Sequence, residues 1–304
     1  MIGLGKDIKL IDLEATTVCN AKCPQCSRED SSLYNDSTDR AELTLEKCKQ
    51  VFTPEIIKNL DKMFMCGTFG DPAANPDTLE IFKYFREINP NITLGMNTNG
   101  SIRSTSWWTQ IGELFTKMED YVVFSLDGLE DTNHIYRIGV NFNKAMQNAE
   151  AFIKAGGNAH WDMLVFAHNE HQIEEAEQLA KSKGFKWFRC KVSKRFVTKP
   201  VEGLDPPLHF NLPNIKESEY ISCKAVREKS VYVSAKGIVY PCSWIGSLEN
   251  NNIDDYLSEL LDSKNWNKLK NSWSDKPHEV CKKSCGKSNG KSSYENQWTR
   301  EVEF

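Results

Sequence analysis

Six short segments rich in β-branched and aromatic residues alternate with stretches whose apolar residues recur at helical spacing. The apolar segments lie near residues 8–14, 62–66, 92–98, 121–126, 160–167 and 186–193. Spacings of three and four occur in 107–119, 143–155 and 170–183, and Thr53-Pro54 is a typical helix start. Strands joined by helical crossovers predict a parallel sheet, and right-handed crossovers allow it to curl into a full or partial barrel. We therefore expect an α/β fold.

Polar and apolar side chains alternate along nearly every predicted strand, whereas buried parallel strands normally consist of continuous apolar runs. The polar positions are Asp12, Glu14 and Thr16; Thr93, Asn97 and Asn99; Ser125 and Asp127; Asp162 and His168; and Arg189, Lys191 and Ser193. This alternation indicates a wide, open barrel whose interior binds a ligand. The alternative is an antiparallel sheet with one face in water, which the helical crossovers disfavour.

The composition changes about two thirds of the way along the chain. The proline-rich segment 199–207 is typical of a linker. Two β-rich runs within 230–242 predict a hairpin, 253–270 predicts a helix, and the polar tail that follows is expected to be mobile. We expect a barrel domain over 1–199 and a small domain over 200–304, built from the hairpin and the helix.

Composition limits the possible functions. The chain has 304 residues, of which 39% are hydrophobic and 26% charged, as is usual for a globular protein. No apolar run approaches membrane-spanning length, and the first residues lack the apolar core of a signal peptide. A formal charge of −4 argues against general nucleic-acid binding. The ten cysteines are clustered, which indicates metal binding in a reducing cytoplasm rather than disulfide bonds.

Three cysteines stand close together just after the first predicted strand: Cys19, Cys23 and Cys26. Thiolates on a loop leaving a strand can turn toward one point, as a soft metal site requires. A [4Fe–4S] cluster is normally held by four cysteines, so three would leave one iron open for a ligand from outside the protein. A structural zinc ion with its fourth ligand elsewhere explains this loop equally well.

The spacing Cys-x3-Cys-x2-Cys after a first strand resembles the signature of the radical S-adenosylmethionine (SAM) superfamily. The resemblance covers roughly residues 8–195. It implies a partial (β/α)6 TIM-like barrel of parallel strands, a [4Fe–4S] cluster on the three cysteines, and SAM bound to its open iron. The residue before the third cysteine is often aromatic in this family and lies near the adenine, but here it is Gln25.

The resemblance also implies which residues bind SAM. The family's Gly-Gly-Glu-Pro turn after strand two corresponds to Gly67-Thr-Phe-Gly70-Asp71-Pro72, whose carbonyls would accept hydrogen bonds from the ammonium group of SAM. Arg137 stands where related enzymes have an arginine for the carboxylate of SAM. The cofactor-binding residues predicted in this way are Gly70, Asp71, Pro72, Asn97, Asn99, Ser125, Asp127 and Arg137.

A second group of cysteines lies in the last third of the chain: Cys223, Cys242, Cys281 and Cys285. Their arrangement resembles the twitch form of the SPASM extension of radical SAM enzymes, which implies one auxiliary [4Fe–4S] cluster. Four thiolates would close the coordination sphere of this cluster, so that it would not bind substrate directly. A structural zinc ribbon also uses four thiolates and stays an alternative.

The remaining cysteines, Cys48, Cys66 and Cys190, lie in apolar patterns and are predicted to be inert buried thiols. Some radical enzymes use a cysteine to return a hydrogen atom to substrate. Cys190 is the candidate for that role, although its position in the alternation places it on the helix-facing side.

Charged side chains in the predicted interior indicate how a substrate is bound. Arg189 and Lys191 share the interior face, where an unpaired cation is costly. We expect them to pair with Asp12, Glu14 or Asp162, or to bind a carboxylate or phosphate of the substrate. Asp162 and Glu14 are also the candidates for accepting a proton during the reaction.

The resemblance implies the reaction type. Reductive cleavage of SAM, with an electron from a donor such as flavodoxin or ferredoxin, would give a 5′-deoxyadenosyl radical that takes hydrogen from substrate. An auxiliary cluster that accepts an electron favours a net oxidation, such as dehydrogenation or ring or crosslink formation. The first strand begins near residue 8, without a preceding leader-peptide module, so we expect a small polar molecule or a separately delivered peptide. The alternatives are a peptide-modifying maturase or epimerase, and a non-catalytic metal-binding or electron-carrier protein.

Overall fold

A computed structural model describes residues 8–29, 40–212, 220–246, 271–288, 291–292 and 297–304. Within these residues, six parallel strands follow one another in chain order across one sheet. They are β1 (Leu10–Leu13), β2 (Lys62–Met65), β3 (Thr93–Thr98), β4 (Tyr121–Ser125), β5 (Ala159–Val165) and β6 (Trp187–Val192). Each pairs in parallel with the next, as predicted. β1 and β6 do not pair with each other, so the sheet is open and the barrel is partial.

Further strands lie in the last third of the described chain, three of them at the two edges of this sheet and two paired with each other in a separate sheet. They are β7 (Ser230–Val233), β8 (Val239–Tyr240), β9 (Lys287–Ser288), β10 (Lys291–Ser292) and β11 (Arg300–Glu303). β7 lies parallel to β1 and β8 lies antiparallel to β7, which confirms the predicted hairpin. β11 lies antiparallel to β6 at the opposite edge, so the expectation of a mobile tail is wrong for this segment. The division of the chain at residue 199 stays a prediction.

Helices connect the six parallel strands, and further helices of the described chain follow β6. In chain order they are α1 (Leu45–Val51), α2 (Pro54–Lys58), α3 (Thr78–Ile88), α4 (Thr105–Leu114), α5 (Asn133–Tyr136), α6 (Phe142–Lys154), α7 (Ile173–Ser182), α8 (Arg195–Thr198), α9 (Lys224–Glu228), α10 (Ser243–Gly246) and α11 (Glu279–Cys285). The helices predicted from apolar spacing are α4, α6 and α7. α4 ends earlier than predicted because Phe115 leaves the helical conformation, and its N–H closes the last turn on Ile111. The predicted helix over 253–270 lies outside the described residues.

The apolar side chains of the strands face the helices and form the core. In β5, Trp161 and Met163 are buried, whereas His160 and Asp162 are half-buried, and β6 alternates in the same way. The Trp161 indole donates to the Leu126 carbonyl at 2.8 Å, which satisfies its buried N–H. We refer to the other side of the sheet, where the half-buried side chains lie, as the polar face. None of the described helices has the length and apolarity needed to cross a membrane.

Candidate active site

The three-cysteine loop follows β1 at the carboxyl edge of the parallel sheet. Cys23 is buried, and Cys19 and Cys26 are half-buried. The loop turns where the Cys26 N–H donates to the Cys23 carbonyl at 2.9 Å. Arg28 holds the start of the loop by donating to the carbonyls of Cys19, at 3.1 Å, and of Ala21. These backbone contacts give the loop a defined shape from which the thiols extend.

Hydrogen-bond donors surround two of the three sulfurs. The Ala21 N–H lies 3.3 Å from Cys19 Sγ, and Asn99 Nδ2 lies 3.7 Å from the same atom. Arg137 Nη1 is 3.9 Å from Cys23 Sγ. Burial raises the pKa of the Cys19 thiol to about 12, so its thiolate form depends on a neighbouring positive charge. Donors placed in this way suit thiolates that bind iron.

The spacing of ligand side chains bears on the choice between zinc and iron. Among the residues that the structure describes, no three His, Cys, Asp or Glu side chains converge closely enough to hold a single metal ion. A tetrahedral zinc site brings its sulfur ligands within about 4 Å of one another, because each Zn–S bond is about 2.3 Å long. A four-iron cluster is larger and takes more widely spaced thiolates.

The glycine-rich turn that follows β2 lies directly beside the cysteine loop. A Cβ on Gly70 would collide with the backbone of Thr16, so this close approach requires glycine. Gly67 has a φ of 61°, in the left-handed region that glycine adopts readily. The Asp71 N–H donates to the Val18 carbonyl at 2.9 Å. The two predicted elements of the site are thus in direct contact.

Asp71 joins this turn to the end of β3. Its buried carboxylate accepts hydrogen bonds from the Thr98 hydroxyl at 2.9 Å and from the Asn99 N–H at 2.7 Å. It also accepts the Ala73 N–H at 3.0 Å, next to Pro72. The side chain of Asp71 is therefore occupied within the protein, and a contact between this residue and SAM would come from the backbone.

The motif that follows β3 reaches the cysteine loop as well. Asn99 donates to the Asn20 side chain at 2.8 Å, and Asn20 in turn donates to the Ser101 hydroxyl at 2.9 Å. Asn97 lies on the polar face and donates to the Cys66 carbonyl at 3.2 Å. Asn99 therefore lies at the cysteine loop, and Asn97 lies beside the glycine-rich turn.

Arg137 forms an ion pair with Asp127 next to the cysteine loop. The Arg137 Nε and Asp127 Oδ2 atoms are 2.6 Å apart, and Asp127 is fully buried. Because Arg137 also points to the sulfur of Cys23, it lies where its predicted contact with the SAM carboxylate would be made. That contact stays a prediction. Ser125, at the end of β4, is in register with Asp162 on the polar face.

Glu14 is almost fully buried behind the glycine-rich turn, with 1% of its surface exposed. Its Oε1 accepts the N–H groups of Phe69 and Gly70, both at 3.1 Å. Its Oε2 accepts the Thr68 N–H at 2.8 Å and the Tyr232 hydroxyl at 3.2 Å. A carboxylate with both oxygens occupied in this way is poorly placed to accept a proton from substrate. These bonds tie Glu14 to the glycine-rich turn, and its role as a proton acceptor stays a prediction.

Arg189 and Lys191 have partners within the protein. Arg189 Nε pairs with Asp162 Oδ1 at 2.8 Å, which is one of the pairings expected from the sequence. Lys191 Nζ donates to Gln297 Oε1 at 2.8 Å. The centre of the Trp298 ring lies 4.4 Å from the charged groups of both Arg189 and Lys191. Gln297 and Trp298 were missed because their polar surroundings in the sequence gave no sign of ordered structure.

An aromatic row crosses the polar face toward the amino ends of the strands. The Tyr121 ring lies between Phe64 and His160, at centroid distances of 5.7 and 5.0 Å. Lys62 Nζ donates to the Tyr121 hydroxyl at 2.8 Å. A Cβ on Gly95 would press on both Phe64 and Tyr121, so this glycine allows rings from β2 and β4 to meet across β3. The rings occupy that end of the face, which leaves its carboxyl end for a substrate.

The four cysteines of the second group line one pocket, although they are far apart in sequence. The pocket walls are mostly apolar and include Ile221, Cys223, Pro241, Cys242, Trp244, Ile245, Trp273, Val280, Cys281, Ser284 and Cys285. The Cys223 and Cys285 side chains are hydrogen-bonded, which lowers the pKa of the Cys285 thiol. The Ser222 N–H donates to the Cys285 carbonyl at 3.0 Å and ties the start of α9 to the end of α11.

The other cysteines divide into two kinds. Cys48 and Cys190 are fully buried in the core, in agreement with the prediction for both. Cys66 is instead half-buried on the polar face, where its thiol lies 3.5 Å from Glu14 Oε2. Cys66 is two residues after Phe64 and four after Lys62, the half-buried residues of β2. This alternation could have predicted that Cys66 lies on the polar face.

The fold and these contacts define the class of protein. Residues 13–180 match the Radical SAM superfamily, and the chain belongs to that superfamily. Membership implies an enzyme that uses a [4Fe–4S] cluster and SAM. The donors around Cys19 and Cys23, and the turn beside them, fit these two groups.

The chain is similar to several known proteins, which cover different shares of its length. It is 25% identical over 186 residues to the AdoMet-dependent heme synthase of Methanosarcina barkeri, a match that covers 60% of this chain and 50% of that protein. Streptococcus suis SuiB, solved with its precursor peptide SuiA, has a TM-score of 0.60 at 16% identity, covering 89% of this chain and 65% of SuiB. Histidine-tagged anSMEcpe with bound AdoMet has a TM-score of 0.57 at 16% identity, covering 94% of this chain and 90% of that one. The likeness to these structures shows the fold, an α/β architecture with an open, mostly parallel sheet.

Proposed function

We propose that this radical SAM enzyme removes a hydrogen atom from an anionic substrate bound at the carboxyl end of the polar face, in a net oxidation. When bound, the cluster and SAM supply a 5′-deoxyadenosyl radical as the hydrogen acceptor. Cys19, Cys23 and Cys26 would hold the cluster, and Arg137 and the glycine-rich turn would hold SAM. The observation that carries the proposal is the pair of cations, Arg189 and Lys191, on the face that the cysteine loop adjoins.

The charge balance on this face supports an anionic substrate. Within the described part of the chain, Arg189 forms an ion pair with Asp162 and lies opposite Glu301 of β11, whereas Lys191 forms no ion pair. Burial lowers the pKa of Lys191 to about 8, as expected for a cation with too little compensating negative charge. A carboxylate or phosphate of the substrate would supply that charge, and the Trp298 ring would form a wall against which the substrate is positioned.

Asp162 is the residue we propose as proton acceptor. Burial raises its pKa and the Arg189 guanidinium opposes that shift, so the carboxylate is more basic than an exposed aspartate. It lies on the polar face in register with Ser125, close to the carboxyl end of the strands. A base in this place could take the proton that accompanies oxidation of the substrate.

We further propose that Cys223, Cys242, Cys281 and Cys285 hold an auxiliary [4Fe–4S] cluster in a twitch-like arrangement. Their convergence on one mostly apolar pocket supports this assignment, because such a pocket excludes water and protects a cluster. The auxiliary cluster would accept the electron released in the oxidation, and a donor such as flavodoxin or ferredoxin would reduce the first cluster. A zinc ribbon is the competing assignment for the same cysteines.

The iron content tests this assignment. We expect about eight iron atoms per chain after anaerobic reconstitution of the full-length protein, because two [4Fe–4S] clusters are bound. The Cys242→Ala variant should retain about four, and the control Cys48→Ala, which removes a core thiol, should retain about eight. Four iron atoms in the unmodified protein, or one zinc ion per chain that is lost in Cys242→Ala, would overturn the auxiliary cluster.

A peptide substrate is the second candidate. SuiB, whose fold this chain shares, is solved with its precursor peptide. The same cations could bind an acidic side chain or the terminal carboxylate of a peptide. Comparing 5′-deoxyadenosine release with peptides and with small carboxylates or phosphates added separately decides between the two, since the true substrate accelerates that release.

A further inference from the structure

We propose that Glu14 is a positioning residue that holds the glycine-rich turn, residues 67–72, in the conformation that binds the ammonium group of SAM. The inference rests on the proposed function, because it concerns the same cofactor. It goes beyond that function because it assigns the shape of the SAM-binding turn to Glu14, which would not itself contact SAM. It also assigns a supporting role to the Tyr232 hydroxyl, which is bonded to the Glu14 carboxylate.

Three consecutive backbone N–H groups converge on one carboxylate. Those of Phe69 and Gly70 bond to Oε1 at 3.1 Å, and that of Thr68 bonds to Oε2 at 2.8 Å. Successive N–H groups directed at one anion form a backbone nest, a concavity that binds an anion. Glu14 therefore acts as an internal anion around which the turn is folded.

The orientation of the N–H groups fixes the orientation of the carbonyls. Within a trans peptide group the N–H and C=O bonds point in opposite directions. Because the N–H groups of residues 68–70 face Glu14, the carbonyls of Gly67, Thr68 and Phe69 face away from it. Carbonyls presented on one side of a turn are suitable acceptors for an ammonium group.

Burial raises the pKa of Glu14, whereas the N–H groups of residues 68–70 oppose that shift by bonding to the ionised form, and this ionised form strengthens the arrangement. The carboxylate is 1% exposed, so little water screens it. A hydrogen bond to an ionised acceptor polarises the peptide group that donates it, and the carbonyl of that peptide becomes a better acceptor. A buried anion behind the turn therefore favours a cation in front of it.

A residue from the last third of the chain supports the carboxylate. The Tyr232 hydroxyl donates to Glu14 Oε2 at 3.2 Å. Tyr232 lies in β7, which pairs with β1 in the register Asp12 to Tyr232. The position of the C-terminal hairpin is thereby connected to the turn through one carboxylate.

The test compares Glu14→Gln with a matched change two residues earlier, Asp12→Asn in β1. Glutamine keeps the shape of glutamate but presents an NH2 group that cannot accept the N–H bonds. We expect the SAM dissociation constant of Glu14→Gln, measured on reconstituted protein, to rise at least about tenfold, since charge-assisted bonds are roughly twice as strong as neutral ones. Iron content should stay unchanged. In Asp12→Asn, whose carboxylate lies near Cys66 but forms no hydrogen bond with the described residues 67–72, the SAM dissociation constant should stay unchanged.

Amide hydrogen exchange in the absence of SAM gives a second readout. Residues 68–70 should exchange faster in Glu14→Gln than in the unmodified protein, because their acceptor is lost, and should be unaffected in Asp12→Asn. Tyr232→Phe, which retains the carboxylate, should raise the SAM dissociation constant about twofold to threefold, as expected for loss of one hydrogen bond. If Glu14→Gln does not fold, Tyr232→Phe decides, and unchanged affinity together with unchanged exchange of residues 68–70 would overturn the inference.

The two proposals fail in different ways. Normal SAM affinity and normal exchange at residues 68–70 in folded Glu14→Gln would overturn the role of Glu14 alone. No SAM binding by the unmodified, iron-loaded protein would overturn the proposed function together with this inference.

Discussion

On the polar face, each partly buried charged side chain needs a partner that compensates its charge. Arg189 and Asp162 are each about one fifth exposed, and each would be costly to leave without its partner. Lys191 depends on an amide oxygen and an aromatic ring, which are weaker partners than a carboxylate. Among the described residues Lys191 is thus a buried cation without an ion pair, and that is the physical basis of the substrate class that we propose.

Replacing Arg189 by methionine should destabilise the protein in a pH-dependent manner. Asp162 would lose its cation, and its pKa in the folded state would rise further above the unfolded value. A carboxyl group whose pKa is higher in the folded state than in the unfolded state lowers the free energy of unfolding as the pH rises above about 4. We therefore expect Arg189→Met to lower the free energy of unfolding by about 2 kcal/mol at pH 8 and by less at pH 5. Urea unfolding at both pH values measures the difference.

The matched control is Lys183→Met, which removes an exposed cation paired with Glu150. Its effect should be less than about 0.5 kcal/mol at either pH. An equal loss for Arg189→Met at pH 5 and pH 8 would show that Asp162 does not depend on Arg189.

At the scale of elements, local signals predicted the parallel strands and their crossover helices. Helical spacing and the alternation along strands are properties of short segments, and they identified β1 to β6, α4, α6 and α7. β11 was missed because its sequence, Arg300–Glu303, is short and charged, as edge strands often are. The pairing of β7 with β1 was missed because it joins segments that are far apart in the chain, which no local pattern reports.

The residues of the site show the same difference between local signals, which the sequence reveals, and long-range contacts, which it does not. The cysteine loop and the glycine-rich turn are contiguous motifs, and the sequence identified both. The contacts of Glu14 depend on the direction of backbone N–H groups, which residue spacing does not reveal. The contacts of Trp298 depend on a C-terminal segment that is far from β6 in sequence, so they could not be predicted from spacing either.

Deleting residues 297–304 should loosen β6 selectively. The Thr299 N–H donates to the Cys190 carbonyl at 2.8 Å and the Phe304 N–H donates to the Lys186 carbonyl at 3.0 Å, so the deletion exposes an edge of β6. We expect faster amide exchange in residues 187–192 by hydrogen-exchange mass spectrometry, with β3 at the centre of the sheet as the internal control. Unchanged protection of β6 would mean that β11 does not stabilise this edge.

For the whole molecule, the last third of the chain contributes at both edges of the sheet. β7 brings Tyr232 to the carboxylate behind the glycine-rich turn, and the segment before β11 brings Trp298 to the cations of the polar face. The parallel core therefore supplies the cluster loop and the turn, while the C-terminal residues complete their surroundings. If the chain were divided into independent domains at residue 199, Tyr232 and Trp298 would belong to a different domain from the residues that they contact.

The metal-free protein should lose stability in alkaline solution because of its buried thiols. Burial raises the pKa of Cys48 to about 12 and that of Cys190 to about 11, above an unfolded value near 9. The unfolded chain therefore releases these protons first, and stability falls as the pH rises above 9, by up to about 1.4 kcal/mol per thiol and pH unit. Urea unfolding under reducing conditions between pH 8 and 10.5 measures this fall.

The double variant Cys48→Ala, Cys190→Ala separates the two thiols from other groups that titrate in this range. Its stability at pH 8 should be lower, because two core side chains are reduced in size. Its further loss between pH 8 and 10.5 should be smaller than that of the unmodified protein. An identical fall in both proteins would assign the alkaline loss to other residues.

The release of 5′-deoxyadenosine tests the central claim most directly. Protein reconstituted anaerobically with iron and sulfide is given SAM and dithionite, and the nucleoside is quantified by chromatography. We expect release by the unmodified protein and by Cys48→Ala, and none by Cys23→Ala, which lacks one ligand of the loop cluster. No release from iron-loaded unmodified protein, or equal release from Cys23→Ala, would contradict the account.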